Sequence, residues 1–516
     1  MQPESLPPGI RSLTRPEAYP HSATNIHWHE THISWVFLAG EFAYKIKKPV
    51  NLGFVDFTTL QRREHFCREE LRLNTRLAPE LYLDVVPITG TDTEWRISGS
   101  LDPGAMPLEF AVKMQRFPED SLLSNPDTRS RLKAAHFRQL ARDVARFHLE
   151  ATPADASASW GDPAKIHKVV LDNFPEIERY PLTSLHKQQL DHLEAWLNQK
   201  AREVRELQRA RAAAGVIREG HGDMHLQNMI LRDDRIRVFD CIEFNDAFRW
   251  IDPINEIAFI TMDLQDRGLS GWAHVFLAEY LQQTGDFAGL ALFNYYQVYR
   301  ALVRAKVNAI RFLQTTDPRE RQEIETELYR YLDLATRITA PPAPFLAITC
   351  GFSGSGKSTL AAALVEQTGV LWLRSDVERK RIYENWPALA PPSPPVAPLP
   401  TEPYSTEGIE TVYARLLLLA ELILKTGHAV IVDATFLKRD QRHRFQKLAQ
   451  NRPCPFRIYY LDSQESLLRD RIAARTAAAD NVSDATDEVL EQQRREFEDF
   501  TTQEHSYLAS ASPQEP

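Results

Sequence analysis

Two stretches of this 516-residue chain carry side chains whose types and spacing suit phosphate chemistry. In the first, HGDMHLQNMILRDDRIRVFDCIEF, Asp223 and Asn228 stand five apart, and Asp240 ends the apolar run IRVFD. Phosphoryl transfer needs a carboxylate near the attacking hydroxyl and further oxygen ligands to hold Mg2+ against the phosphates. Asp223 suits the first task, and Asn228 and Asp240 suit the second. A hairpin, MIL–RDD–RIRVF, would bring the three together. In the second stretch, Gly351-Phe352-Ser353-Gly354-Ser355-Gly356-Lys357-Ser358 matches G-x-x-x-x-G-K-[ST] completely. Backbone N–H groups of such a loop cradle phosphates, its lysine reaches the β/γ-phosphates and its serine ligates Mg2+. Thr359 follows directly and is counted with the nucleotide-binding set. The apolar strand pattern Ala429–Asp433 ends in a carboxylate, the expected second Mg2+ ligand of that site.

The elements that must position these residues fall into two architectures. Short β-rich runs extend from Ile33 to about Phe117: ISWVFL, FAYKIK, LYLDVVPI, WRISG and EFAVKMQRF. Ala39-Gly40-Glu41 suits a hairpin turn between the first two, and TTLQRREHFCREELRLNTRLA has helical apolar spacing. Helices dominate from about Ser121 to Arg337, with a strand-rich island at Ala214–Phe244. A small β lobe (about 20–118) and a helical lobe (about 119–338) make an α+β domain over 1–340. The proline-rich Thr339–Pro344 reads as a linker dividing the chain near Pro342. Beyond it, over 341–516, strands alternate with helices: FLAITC, a helix from Lys357, VLWL, a helix near Tyr413–Lys425, AVIVDA, another helix, then FRIYYL. That alternation is the signature of an α/β domain with a parallel sheet. Residues 387–403 hold 8 of the 33 prolines and read as an extended loop.

The first constellation resembles the catalytic block of the aminoglycoside phosphotransferase and choline kinase families, relatives of the protein kinases. His221-Gly222-Asp223 stands where protein kinases carry His-Arg-Asp, and Asp240-Cys241-Ile242 where they carry Asp-Phe-Gly. The resemblance implies that Asp252 braces the loop. Glu243 reads equally as a second metal-site carboxylate or as a solvated residue. A kinase-like fold also requires a strand lysine for the phosphates and a helix carboxylate to orient it. Lys45 and Lys47 project from one strand face and compete for that role; Glu70 is the best partner, with Glu69 close behind. Lys113 is a rival, assigned to a strand at the hinge. Arg300 and Arg304, at i, i+4 on a helix, read either as a site for an acidic substrate or as a solvated face.

In the second half, strand VLWLR runs into Ser375-Asp376 with Arg379 three residues on. This resembles the Asp-x-x-Arg of polynucleotide-kinase-like and gluconate-kinase-like P-loop enzymes. The resemblance implies that Asp376 activates an acceptor hydroxyl, that Arg379 holds the substrate, and that Arg471 and Arg475 act as lid arginines. The whole chain looks like the bacterial family called bifunctional aminoglycoside phosphotransferase/ATP-binding proteins.

Composition bounds the function. With 43% hydrophobic and 25% charged residues, the chain can bury a core, which excludes global disorder. A net charge of −9 argues against nucleic acid or anionic membrane as partners. No run of eighteen apolar residues and no apolar N-terminal h-region occur, and the four cysteines lie far apart, so a reducing cytoplasmic setting is expected. The expected activity is an ATP- and Mg2+-dependent phosphotransferase with two nucleotide sites, acting on hydroxyls of small polar metabolites such as sugars. Antibiotic modification and nucleotide sensing without transfer are the alternatives, and phosphorylation of polynucleotides is disfavoured by the net acidity.

Overall fold

A computed structural model of the chain describes residues 6–53, 55–100, 106–155, 158–384, 386, 388–389, 402–476 and 487–510; at 467, 472–476 and 487–488 it describes the backbone alone. Most of the proline-rich stretch 387–403 therefore lies outside the described residues. The chain divides into two compact units. One comprises Met1–His136, Ala151–Ala154 and Ile217–Asp252; the other comprises Phe137–Glu150, Asp155–Val216 and Pro253–Pro516.

The first unit is built on a six-stranded antiparallel sheet. Its strands are β1 (His27–Glu30), β2 (Ser34–Ala39), β3 (Phe42–Lys47), β4 (Tyr82–Gly90), β5 (Trp95–Ile97) and β6 (Glu109–Gln115), in the order β1-β2-β3-β6-β4-β5. The expected β2–β3 hairpin forms, with Gly40 at φ 60° in its turn, a backbone region open to glycine at little cost. β1 escapes the sequence pattern because HWHE is a polar, mostly exposed edge strand without apolar alternation. Helix α1 (Leu60–Asn74) starts at Thr59, whose side chain accepts from the Arg62 N–H, and packs on β4 and β6 in an apolar cluster that takes Cys67 and Leu71 from the helix and Val85 and Phe110 from the strands. The strand-rich island comprises β7 (Arg218–Glu219), β8 (Met229–Arg232), β9 (Arg235–Val238) and β10 (Trp250–Ile251). β8 and β9 form the expected hairpin, turned by Asp233 and Asp234 at φ 49° and 56°, the positive values a tight hairpin requires.

The second unit contains the helices α2 (Ala134–Glu150, from Phe137), α3 (Ser184–Ala213), α4 (Pro253–Asp266), α5 (Ser270–Thr284), α6 (Leu290–Gln314) and α7 (Pro318–Thr339). An irregular segment, 341–345, leads into β11 (Leu346–Cys350). There follow α8 (Lys357–Thr368), β12 (Leu371–Arg374), α9 (Ser375–Tyr383), α10 (Thr406–Lys425), β13 (Val430–Asp433), α11 (Arg439–Asn451), β14 (Phe456–Tyr460), α12 (Glu465–Thr476) and α13 (Asp487–Glu496). The four strands are parallel in the order β12-β13-β11-β14, so the βα alternation read from sequence becomes a P-loop domain with a parallel sheet. Of the linker expected at Thr339–Pro344, Thr339 ends α7 and the rest is irregular chain, and one compact unit continues across it. Ala278 of α5 shares one apolar cluster with Ala347, Leu360, Leu364 and Ile431 of the P-loop domain.

Candidate active sites

On β3, Lys45 and Lys47 lie on one face, as their spacing requires, and both reach Glu70 of α1. Lys45 Nζ sits 2.8 Å from Glu70 Oε1 and donates to Asp240 Oδ1 at 2.6 Å. Lys47 Nζ donates to Glu70 Oε2 at 2.7 Å and to Glu243. The result is an alternating ladder, Asp240–Lys45–Glu70–Lys47–Glu243. Burial separates the two lysines: the Lys47 side chain is 0% exposed and spent on two buried carboxylates, whereas Lys45 keeps 13% exposure beside Asp240 at 43%. Lys45 is thus the lysine with an open side toward a ligand. Burial by itself would lower its ammonium pKa, but Asp240 and Glu70 outweigh that and hold it well above the usual value. Burial likewise opposes ionisation of Glu70, yet Lys45 and Lys47 bring it down to about 2. Glu243 is neither solvated nor open to a metal. It is buried against Lys47, and burial raises its pKa. Glu69 pairs with Arg72 instead, and Lys113 lies over the Phe42 ring, 4.0 Å from its centroid.

Asp240 adopts φ 63°, a left-handed conformation that Asp tolerates better than most residues, and its N–H donates to the Tyr82 hydroxyl at 3.1 Å. Next to it, the Cys241 N–H donates to Asn74 Oδ1 at 2.9 Å, tying this loop to α1. Asn228 Nδ2 donates to both Asp223 O and Asp223 Oδ2 at 3.0 Å, and Asn228 O accepts from the Phe239 N–H at 3.0 Å. Asp223 and Asn228 therefore meet directly, and the hairpin returns Phe239, the neighbour of Asp240 in the chain, to Asn228. His225 Nε2 lies 3.2 Å from Asp223 Oδ2. His221 Nε2 meets Phe239 O at 3.0 Å, which locks the loop. Gly222, at φ 88°, has no room for a side chain: a Cβ would sit 2.6 Å from Phe248 O. Asp252 is buried. Tyr82, Asn74 and His225 gave no signal in the sequence, because their roles arise from contacts between distant segments.

In the second unit, the loop 351–356 joins β11 to α8 where the motif demands. Gly351 has φ 144°, and a Cβ there would lie 2.5 Å from Leu461 O; Gly354 and Gly356 have φ 84° and 97°. Lys357 Nζ folds back onto Gly351 O at 3.0 Å and Phe352 O at 2.7 Å. The buried Ser355 Oγ has no hydrogen-bond partner, an orphan that a phosphate oxygen would satisfy. Ser358 and the exposed Thr359 follow in the first turn of α8. Asp433 ends β13, buried, accepting from Trp372 Nε1 at 3.2 Å. Asp376 and Arg379 pair at 3.1 Å on α9, and Arg379 lies over the Tyr404 ring. Arg471 donates to Gly354 O at 3.2 Å, whereas the Arg475 side chain lies outside the described residues. Gln493 of α13, which the sequence did not single out, accepts from the Ser353 N–H and donates to its hydroxyl, both at 2.9 Å. Among the described residues no three His, Cys, Asp or Glu side chains converge as a metal cage. Mg2+ held here would share its ligands with phosphate, through Asn228 and Asp240 or through Ser358 and Asp433.

Arg300 and Arg304 are neither a solvated stripe nor an open site. Both are buried; Arg300 donates to Asn255 Oδ1 at 2.7 Å, and Arg304 faces the Tyr331 ring. Among the described residues no helix is long and apolar enough to cross a membrane.

A family model described as an AAA domain matches residues 346–500. Uncharacterized protein Rv2004c of Mycobacterium tuberculosis is 31% identical over 462 residues, covering 89% of this chain and 88% of that one; a Mycobacterium bovis protein matches equally. Among solved structures, a thermostable mutant of an aminoglycoside phosphotransferase is 12% identical over 62% of this chain and 97% of that one, with a TM-score of 0.38. An ethanolamine kinase of Plasmodium vivax is 10% identical over 59% and 82%, with a TM-score of 0.35. A gluconokinase from Sinorhizobium meliloti 1021 is 23% identical over 31% and 78%, with a TM-score of 0.21. With the His221-Gly222-Asp223 to Asp240 motif ahead of a P-loop domain, and its near full-length match to the mycobacterial chains, this protein belongs to the family of bifunctional aminoglycoside phosphotransferase/ATP-binding proteins.

Proposed function

We propose that the protein is an ATP- and Mg2+-dependent phosphotransferase with two nucleotide sites, each phosphorylating a hydroxyl of a small polar metabolite, sugars among them. The observation that carries this reading is Lys45 held between Glu70 and Asp240 at 2.8 and 2.6 Å, on a chain that also carries a complete phosphate loop. In the first site Lys45 steadies the nucleotide phosphates. Asp223 accepts the proton of the acceptor hydroxyl as its oxygen bonds to the γ-phosphorus, the bond to the β–γ bridging oxygen breaks and ADP leaves. Mg2+, when bound, neutralises charge developing on the phosphates. In the second site Lys357 leaves its loop carbonyls for the β/γ-phosphates, Asp376 takes the proton and Arg379 grips the acceptor. Asp223, Asp240, Asp376 and Arg379 hold these roles as assignments to be tested.

The test uses the full-length chain, calorimetric titration with Mg·ATP, and a metabolite library screened for ATP consumption. Wild type should bind two ATP and Lys357→Ala one, with loss of one activity by about 100-fold or more. Asp223→Asn should keep both ATP sites and lose the other activity. A single ATP site in wild type, or full turnover of every acceptor by Asp223→Asn, would refute the two-site reading.

A further inference from the structure

Helix α9 carries Asp376 and Arg379 on one side and two buried charges on another. Glu378 and Arg381 pair at 3.2 Å with side chains 2% and 5% exposed, and Arg415 of α10 pairs with the same carboxylate at 3.4 Å. Arg381 has a further partner outside the P-loop domain: its NH2 group donates to Gln282 O at 2.5 Å. Gln282 lies in the last turn of α5, whose final carbonyls lack helical partners and form the negative end of the helix dipole. That helix stops at Gly285, φ 66°, where an added Cβ would lie 2.8 Å from Arg381 Cζ, so the glycine makes room for the guanidinium. Thr284 O also accepts from the Leu389 N–H at 3.0 Å, so the chain beyond α9 docks on the same helix end.

The opposite end of α5 performs a matching task on the phosphate-loop helix. His274 Nδ1 donates to Glu366 O, in the last turn of α8, at 3.3 Å. A Cβ on Gly369, which ends α8 at φ 73°, would lie 2.8 Å from His274 Nε2. One helix from the helical lobe thus touches both α8, which begins with Lys357, and α9, which carries Asp376 and Arg379.

We infer that α5 is a strut and Arg381 a positioning residue: seated on the C-terminal end of α5, Arg381 fixes the Asp376–Arg379 helix relative to the phosphate loop, so that the P-loop site depends on the kinase-like part of the chain. The inference rests on the reading of Asp376 and Arg379 as acceptor-site residues, but its physical content is the anchoring of α9.

Two readouts on the full-length chain in an Asp223→Asn background test it: amide hydrogen exchange along α9, and hydrolysis of Mg·ATP with water as acceptor. Arg381→Ala and Gly285→Ala attack the contact from opposite sides, and Arg381→Lys restores a charged donor. In both disruptive variants, residues 375–383 should exchange about 10-fold faster while 357–368 stay protected. The kcat for ATP hydrolysis should fall about 10-fold with KM for ATP within about two-fold, and Arg381→Lys should recover part of both effects. Wild-type exchange over 375–383 in either folded variant overturns the inference. ATP hydrolysis insensitive to Lys357→Ala would instead strike the phosphotransfer reading, and exchange, which needs no turnover, would still decide on the strut.

Discussion

Two lysines two residues apart take up different work because one finds a second buried carboxylate. Lys47 is closed between Glu70 and Glu243, so removing its charge leaves Glu243 stranded in the interior, whereas Lys45 faces the half-exposed Asp240 and shares Glu70 with Lys47, which stays to pair it. Breaking a buried pair from one side costs about 3–5 kcal/mol when the remaining charge has no other partner. Lys47→Met is therefore expected to lower stability by about that amount in urea denaturation, and Lys47→Met with Glu243→Gln to recover much of it. Lys45→Met should cost less stability while abolishing turnover at the proposed first site. Equal stability losses for the two single variants would contradict the division of labour drawn from their burial.

At the scale of elements, each site depends on a segment forced into backbone shapes that side chains resist. The phosphate loop leaves β11 at Gly351, where φ 144° and the carbonyl of Leu461 exclude a Cβ. Gly351→Ala must displace either the loop or the end of β14, and strain of this kind costs about 1–3 kcal/mol. On the proposed two-site reading, the expected outcome is loss of one ATP site in calorimetry with a lowered unfolding midpoint. Gly99→Ala, where nothing lies within 4 Å of the new Cβ, should leave both unchanged. An intact second ATP site in Gly351→Ala would show that the loop can relax and that the close approach to Leu461 is dispensable.

At the scale of the whole molecule, the packing of α5 and α6 against the P-loop domain contains two histidines kept neutral. Burial pushes the pKa of His274 below its usual value, and that of His428, beside the Phe293 ring, down to about 4, although some solvent contact remains to moderate the effect. The unfolded chain, titrating near 6.5, therefore binds protons before the folded one does. Their contribution to stability is complete above about pH 6.5 and is lost as the pH falls, for His428 over the range down to about 4. The full chain should show a lower Tm at pH 5.0 than at pH 7.5, and His274→Gln with His428→Gln should flatten that difference. An unchanged pH slope in the double variant would remove these histidines as its cause.

The amino-acid sequence by itself determined the elements and the chemistry that single segments hold. Short β-rich runs marked β2 to β6, glycine spacing marked the phosphate loop, and the run from His221 to Asp240 marked a candidate site, because each such signal is written within one or two turns or strands. It left Lys45 and Lys47 unresolved, since both share a strand face, and only the arrival of Glu243 from 196 residues away separates them. For the same reason Arg300 and Arg304 looked exposed until packing buried them, and the contacts that Ala278 and Arg381 make across the Thr339–Pro344 linker left no mark in the sequence. Periodicity reports which face of an element is apolar; which distant charge reaches that face is decided by tertiary structure, because a buried charge is stable only where a partner from elsewhere in the chain arrives to meet it.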